Sequence, residues 1–375
     1  MNLFEVYPLM PVTIKSGKGS KLWDEEGNEY LDLYGGHAVI SIGHSHPHFV
    51  QRIKEQLDQI AFYSNSIQIP IQKLLSQKLG ELSGYEDYSL FLCNSGAEAN
   101  ENAIKMASFA TGKSGIISFE KGFHGRTSAA VAATDNPRVT APCNQREDFV
   151  ILPWENLEEV EKELRKGRTA GIIIEAIQGV GGINIASDEF LLGLSDLAKK
   201  YDAKLILDEV QAGFGRTGKF FAHQWIKDLK PDLISMAKGM GNGFPIGGIL
   251  ISPDFEASYG LLGTTFGGNH LACAASLAVL EVIESENLLM QAKETGEWFI
   301  EDLKDLPFIK EVRGRGFMIG IDFDQEIAKL RSDILTNHHI FTGSSSKKQT
   351  LRLLPALNIQ RNDLNSFKAA LVASF

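Results

Sequence analysis

The sequence predicts an α/β fold in two unequal lobes: a large domain built on a mostly parallel sheet with helices on its faces, and a smaller α+β domain. Three observations point there. From Ser89 onward, short apolar runs alternate with longer amphipathic stretches, the pattern of parallel strands joined through helices. Near the two chain ends, residues 13–33 and 309–323 read instead as antiparallel hairpins turning on Gly and Asn. At 375 residues and 43% hydrophobic, the chain is long enough for a full core divided between two lobes.

The expected strands of the large sheet are, in order, SLFLC (89–93), GIISF (115–119), DFVILP (148–153), AGIIIEA (170–176), AKLILDE (203–209), DLISMA (232–237) and IGGILIS (246–252). Helical periodicity lies between several of them, over Glu98–Phe109, Asn156–Lys166 and Glu189–Tyr201. Residues 46–275 therefore read as the large domain, with 1–45 and 276–375 supplying the two parts of the small one.

Composition narrows the function. A net charge of −10 and a pI near 5.5, with no basic stripe, argue against a nucleic-acid or anionic-membrane partner and for small molecules. The apolar-leaning helix Leu271–Leu280 falls far short of the ~20 residues that cross a bilayer. The start, MNLFEVYPLMPV, is acidic and proline-broken where a secretory signal is basic and then continuously apolar, so a cytoplasmic address is expected. Cys93, Cys143 and Cys273 are few, odd in number and scattered, which supports neither disulfides nor a thiolate metal site; they are expected to be reduced and buried.

Ligands of open parallel sheets sit beyond the carboxyl ends of the strands, and four such ends carry unusual residues. After SLFLC, Asn94-Ser95-Gly96-Ala97-Glu98 opens a helix with small residues that bare backbone amides at its positive end, a phosphate cup; an ordinary serine cap gives the same string. After GIISF, Phe123 and Arg126 stand in a glycine-flanked loop, where an aromatic can cover a planar ligand and an arginine can take a carboxylate. A buried-type strand runs straight into Asp208, whose carboxylate needs a cation or strong donor beside it. Lys238 ends the next strand before a run of glycines, poorly solvated and so inclined to shed its proton and act as a nucleophile.

Each end has a bland reading as a cap, a packed Phe, an ion pair or a snorkelling lysine. Together they are the requirements of pyridoxal phosphate: a phosphate cup, a ring-covering aromatic, a carboxylate for the pyridinium nitrogen and a Schiff-base lysine. In that reading Asp208 keeps the ring nitrogen protonated and Lys238 is the base that moves the substrate proton.

These residues resemble the class III (ornithine-type) pyridoxal-phosphate aminotransferases, most closely those acting on acetylornithine. The resemblance spans nearly the whole chain and rests on Asn94–Glu101 (NSGAEANE), Phe123–Thr127 (FHGRT), Leu207–Gly213 (LDEVQAG), Ala237-Lys238-Gly239 and Thr264–Asn269 (TTFGGN). It implies the aspartate-aminotransferase-like fold type I of pyridoxal-phosphate enzymes. It further implies phosphate contacts from Ser95, Gly96 and Ala97, ring stacking by Phe123, and cofactor contacts from Asp208, Glu209, Val210 and Gln211. Thr265 is implied to reach the phosphate of a neighbouring subunit, hence a homodimer with a shared active site. Arg126, Thr264 and Arg352, the last in Leu351–Pro355 (LRLLP), resemble substrate contacts.

The implied reaction carries the terminal amine of an N-acylated ornithine, N-acetylornithine first, to 2-oxoglutarate, giving the acylglutamate semialdehyde and glutamate in arginine biosynthesis. Two arginines suit the two carboxylates of 2-oxoglutarate. Acylation blocks cyclisation of the α-amine onto the product aldehyde. The segment Gly171–Gly182 departs from the family pattern Glu-Pro-x-Gln-Gly-Glu-Gly-Gly: Ala176 replaces the proline and Val180 the second glutamate, which in relatives can pair with the carboxylate-binding arginine. That keeps N-succinylornithine open as the donor. His37 also replaces an aliphatic residue of the family pattern.

Ornithine, 4-aminobutyrate and diamine aminotransferases and the tetrapyrrole aminomutase share the cofactor motifs and remain rivals. A nucleotide-binding oxidoreductase would place a GxGxxG turn after the first strand with an acidic residue ~20 positions on, and neither is present. A non-enzymatic relative would be expected to lose Lys238 or Asp208. His44, His46 and His48 have strand-like metal-ligand spacing, but Pro47 interrupts it.

Overall fold

The computed structural model describes residues 1–375. Seven strands form its central sheet, in spatial order Ser89–Cys93, Gly247–Ile251, Leu233–Met236, Lys204–Asp208, Thr169–Ile174, Gly115–Phe119 and Phe149–Leu152. The strands Gly115–Phe119 and Thr169–Ile174 are buried at every position, as expected of strands covered on both faces, which is why they read as unbroken apolar runs. One strand runs against the rest: Gly247–Ile251 pairs antiparallel with both neighbours. Only residues 237–246 separate it from the strand before, too little chain for a parallel crossover.

Helices follow most strands. Gly96–Thr111 lies against the sheet with Ala99, Ala103 and Ala107 buried, small side chains that let helix and strands approach closely. His270–Ser285 is buried on nearly all sides, from Ala272 through Leu280, and each large side chain so removed from water contributes roughly 1.5–3 kcal/mol.

The chain ends meet. The N-terminal strands Ile14–Lys18, Lys21–Asp24 and Glu29–Asp32 form one sheet whose last member, Ile340–Phe341, comes from the C-terminal region and pairs Ile340 with Leu31. A second sheet joins Glu311–Arg315, Met318–Asp322, Thr350–Leu353 and Gly343–Ser344. Arg216, 2% exposed, ties the centre to both ends by donating to the carbonyls of Pro355 and Ile40.

One expectation changes. Cys93 and Cys273 are buried but Cys143 is exposed, because it sits in the short turn Pro142–Asn144 rather than in a packed element. The three alternating histidines separate, since a helix begins at Pro47: His44 meets Asp32 at 2.8 Å, His46 meets Glu286 at 2.9 Å and His48 meets Glu281 at 2.5 Å. No helix is long and apolar enough to cross a membrane.

Candidate active site

A cavity of about 380 Å³ opens where the four singled-out strand ends converge, with Ser95, Gly96, Phe123, Arg126, Asp208 and Lys238 all on its wall. Its size suits a small ligand and its cofactor.

Asp208 ends its strand 4% exposed, and both oxygens of its carboxylate have protein partners. Oδ2 accepts from Asn100 Nδ2 at 2.8 Å and meets His124 Nδ1 at 2.8 Å, while Oδ1 accepts from the Val210 amide at 3.0 Å. Asn100 also donates to the His124 carbonyl at 2.7 Å, which fixes the imidazole loop against the helix. The donors that a buried aspartate requires are thus His124 and Asn100. Sequence reasoning passed over both, although His124 stands beside Phe123 and Asn100 lies within the helix-opening motif.

Glu175 was also missed, hidden in what reads as the tail of a strand. It is buried and accepts from the Phe123 amide at 3.0 Å and the Gly179 amide at 2.8 Å, so one carboxylate clamps two loops of the cavity wall. Burial raises its carboxyl above the usual range, with the Asp208 charge adding to the shift.

Lys238 stands at φ +45°, a left-handed conformation that is costly for a residue with a side chain, at the start of the turn Lys238–Met240. Burial lowers its ammonium below the usual lysine range; Asp208 and Glu175 pull the other way and Arg352 adds to the lowering.

At the fourth corner, Ser95 caps the helix Gly96–Thr111 by accepting from the Glu98 amide at 3.2 Å. The cap and the cup therefore coexist: the amides of Gly96 and Ala97 lie in the first turn, where no intrahelical acceptor exists, on the cavity wall. A Cβ on Gly96 would come within 2.5 Å of Val210 Cγ1, so this corner tolerates no side chain. Bare helix-end amides, a braced aspartate, an amine of lowered pKa and the ring of Phe123 around one cavity fit pyridoxal phosphate.

Not every expected contact lies there. Glu209 turns away into the core, 1% exposed, because successive strand-end residues point to opposite sides. Its carboxylate accepts from the Ala222 and His223 amides at 2.9 Å and meets His223 Nδ1 at 2.7 Å, and His223 continues to the Tyr85 hydroxyl at 2.6 Å. Glu209 is thus a core group rather than a cofactor contact. Thr264 and Thr265 lie off the wall: Thr264 Oγ1 accepts from Asn94 Nδ2 at 3.3 Å, and Thr265 is exposed. Arg126 is exposed at the rim, its guanidinium carbon 5.9 Å from the centre of the Phe123 ring.

Arg352 lies behind the wall, 3% exposed and with no carboxylate within 4 Å. Its guanidinium donates to the carbonyl of Ser344 at 2.5 Å, to Gln211 Oε1 at 3.3 Å and to the Tyr34 hydroxyl at 3.4 Å. A charge buried among neutral acceptors is only partly compensated. Gln211 lines the cavity and connects it to this arginine.

Comparison with known proteins gives one answer. The Aminotransferase class-III family matches residues 5–374. The chain is 38% identical to the acetylornithine aminotransferase of Bacillus subtilis over 97% of this chain and 94% of that one. It is 40% identical to that of Aquifex aeolicus over 97% and 96%. Among solved structures, the ornithine aminotransferase of Toxoplasma gondii superposes with a TM-score of 0.90 at 27% identity, covering 98% of this chain and 90% of that one, and its description places pyridoxal phosphate at the active site. A Bacillus anthracis aminotransferase superposes equally well, TM-score 0.90 at 26% identity over 99% and 96%.

Proposed function

The chain belongs to the class III aminotransferases and is a pyridoxal-phosphate enzyme of fold type I, and from that premise we propose that it moves the terminal amino group of N-acetylornithine to 2-oxoglutarate, a step of arginine biosynthesis. The observation that carries the reading is the shared cavity: Asp208 and Lys238 face it from adjacent strands, and Gln211 joins it to a buried arginine that has no carboxylate of its own. Relatives bearing the acetylornithine name over nearly the full length support the donor.

When bound, the cofactor supplies an aldehyde carbon that takes up the amino group and a ring that withdraws electrons from the neighbouring carbon. The protein's share follows from its residues. Gly96 and Ala97 bind the phosphate through their amides, with Ser95 at the same corner, and Phe123 and Val210 hold the ring. Asp208, kept in place by Asn100 and His124, retains a proton on the ring nitrogen. Lys238, whose lowered pKa leaves more of it as the free amine, first holds the cofactor and then carries the substrate proton.

Arg352 and Arg126 bind the two carboxylates of 2-oxoglutarate. Thr265 serves a second copy's phosphate in a homodimer.

N-succinylornithine is the second reading, favoured by one feature. Val180 lines the cavity where the family pattern has a glutamate, so this position sets no carboxylate against an additional substrate carboxylate. An amine-donor panel with 2-oxoglutarate tests both. The expected order has N-acetylornithine first; a higher kcat/KM for N-succinylornithine selects the second reading, and higher values for ornithine or 4-aminobutyrate overturn both.

A further inference from the structure

The residues leading to Arg352 form a structure of their own. Gly35, Gly36, His37 and Ala38 have φ of +56°, +56°, +67° and +64°, one left-handed turn closed by hydrogen bonds from the Ala38 amide to Tyr34 O at 3.0 Å and from the Val39 amide to Gly35 O at 2.8 Å. Two of the four carry side chains in a conformation that only glycine adopts freely, a strain that persists where the surroundings enforce it. Positions three apart share a face of such a turn, and this brings His37 back onto Tyr34. Nδ1 lies 2.5 Å from the hydroxyl oxygen, with ring centres 4.7 Å apart.

One arrangement serves all three groups: with His37 neutral and protonated on Nε2, the Tyr34 hydroxyl donates to Nδ1 while its oxygen accepts from Arg352 Nη2 at 3.4 Å. The His37 carbonyl accepts from Gln211 Nε2 at 3.2 Å, and Gln211 Oε1 accepts from Arg352 Nη1 at 3.3 Å. Both terminal nitrogens of the arginine thus rest on groups anchored to one histidine. The charges bearing on the His37 ring are those of Arg352 and Lys238, and Arg331 also acts on Tyr34; Glu175 is the acid that acts on Arg352. Although His37 as a residue is exposed, partial desolvation of its ring, reinforced by Arg352 and Lys238, lowers the imidazolium below the usual range, in keeping with a neutral ring.

We propose that His37 is a positioning residue for substrate selection: through the Tyr34 hydroxyl and through Gln211 it holds the Arg352 guanidinium ready for the carboxylate of the oxo acid. It does so with neutral hydrogen bonds, where a glutamate in place of Val180 would supply an ion pair. The inference rests on the reading of Arg352 as the carboxylate-binding arginine. Neutral partners hold the guanidinium in place but leave its charge unpaired, so an arriving carboxylate takes its remaining N–H groups without first breaking an ion pair. What His37 contributes is preorganisation, which acts on the affinity for the carboxylate substrate rather than on proton transfer at Lys238.

Three variants of the cofactor-loaded enzyme test this, read as KM and kcat for 2-oxoglutarate and for the amine donor separately. His37→Leu removes the acceptor and Tyr34→Phe removes the hydroxyl. His37→Asn places an amide oxygen where Nδ1 stood and tolerates positive φ. His37→Leu and Tyr34→Phe should each raise KM for 2-oxoglutarate about threefold to tenfold, the worth of one such hydrogen bond, with a smaller change in KM for the amine donor. The double variant should match Tyr34→Phe alone, because both changes break the same bond, and His37→Asn should recover most of the loss. Equal shifts in both KM values, additive effects in the double variant, or no rescue by Asn would overturn the proposal. Failure of the unaltered enzyme to use 2-oxoglutarate at all would instead remove the reading of Arg352 on which it rests.

Discussion

Asp208 and His124 face each other across 2.8 Å with both side chains almost wholly withdrawn from solvent, 3% and 1% exposed. His124 and Asn100 both engage Oδ2 of this carboxylate, which shares the cavity with Lys238. His124→Phe should leave one carboxylate oxygen short of a partner, at a cost of about 1–3 kcal/mol. The expected outcome is a lower melting temperature and weaker retention of pyridoxal phosphate, followed by thermal scans and by cofactor released on dialysis; an unchanged value in both would show the pair to be dispensable.

Asp208→Asn keeps the shape and removes the charge. If the carboxylate retains the ring-nitrogen proton, kcat should fall by about 10²–10⁴-fold, the range typical of a lost acid–base partner. Steady-state rates on protein shown to be cofactor-loaded check this.

Gly96→Ala should weaken cofactor binding and lower stability, since the added methyl would stand 2.5 Å from Val210 Cγ1. Pairing it with Val210→Ala removes the atom it strikes and should restore part of the stability, which a double-mutant cycle of melting temperatures measures.

Lys238 gives a pH signature in the cofactor-free protein. Its folded pKa lies below the unfolded one, so between the two values the unfolded chain binds more protons and stability rises with pH. The gain is complete once pH exceeds the ordinary lysine value. Lys238→Met lacks the group, so its stability advantage over the unaltered apoprotein should shrink as pH rises from 7 toward 10; an advantage that stays constant would contradict the assigned shift.

Val180→Glu restores the family's acid on the cavity wall. An ion pair with Arg352 should then compete with the oxo acid, and KM for 2-oxoglutarate should increase. Initial-rate kinetics decide it, and a decrease would mean that Val180 does not face the carboxylate route.

Much of this was legible in the chain because two kinds of signal are local. Fully covered strands such as GIISF show as continuous apolar runs, and the cofactor motifs fall at their ends, so Asp208, Lys238 and the Gly96 corner could be placed together from order alone. The reversed strand Gly247–Ile251 was not seen as reversed, because an apolar pentapeptide carries no direction; the short connection before it does. Glu209 is implied as a cofactor contact only by the resemblance, whereas strand geometry turns it away from the neighbouring Asp208 and into the core. His124, Asn100, Glu175 and the turn at His37 gain their meaning only from partners far along the chain. His124, in a loop, meets a residue at the end of a distant strand and Tyr34 one near the C-terminus, and no periodicity encodes such meetings.

The central claim is tested most directly by a single half-reaction. The enzyme loaded with pyridoxal phosphate is mixed with N-acetylornithine and no oxo acid, and the pyridoxamine phosphate formed per site is measured. The account expects close to one equivalent from the unaltered protein and essentially none from Lys238→Ala. An unaltered enzyme that leaves its cofactor unaminated, or a Lys238→Ala variant that converts it as fast, would contradict it.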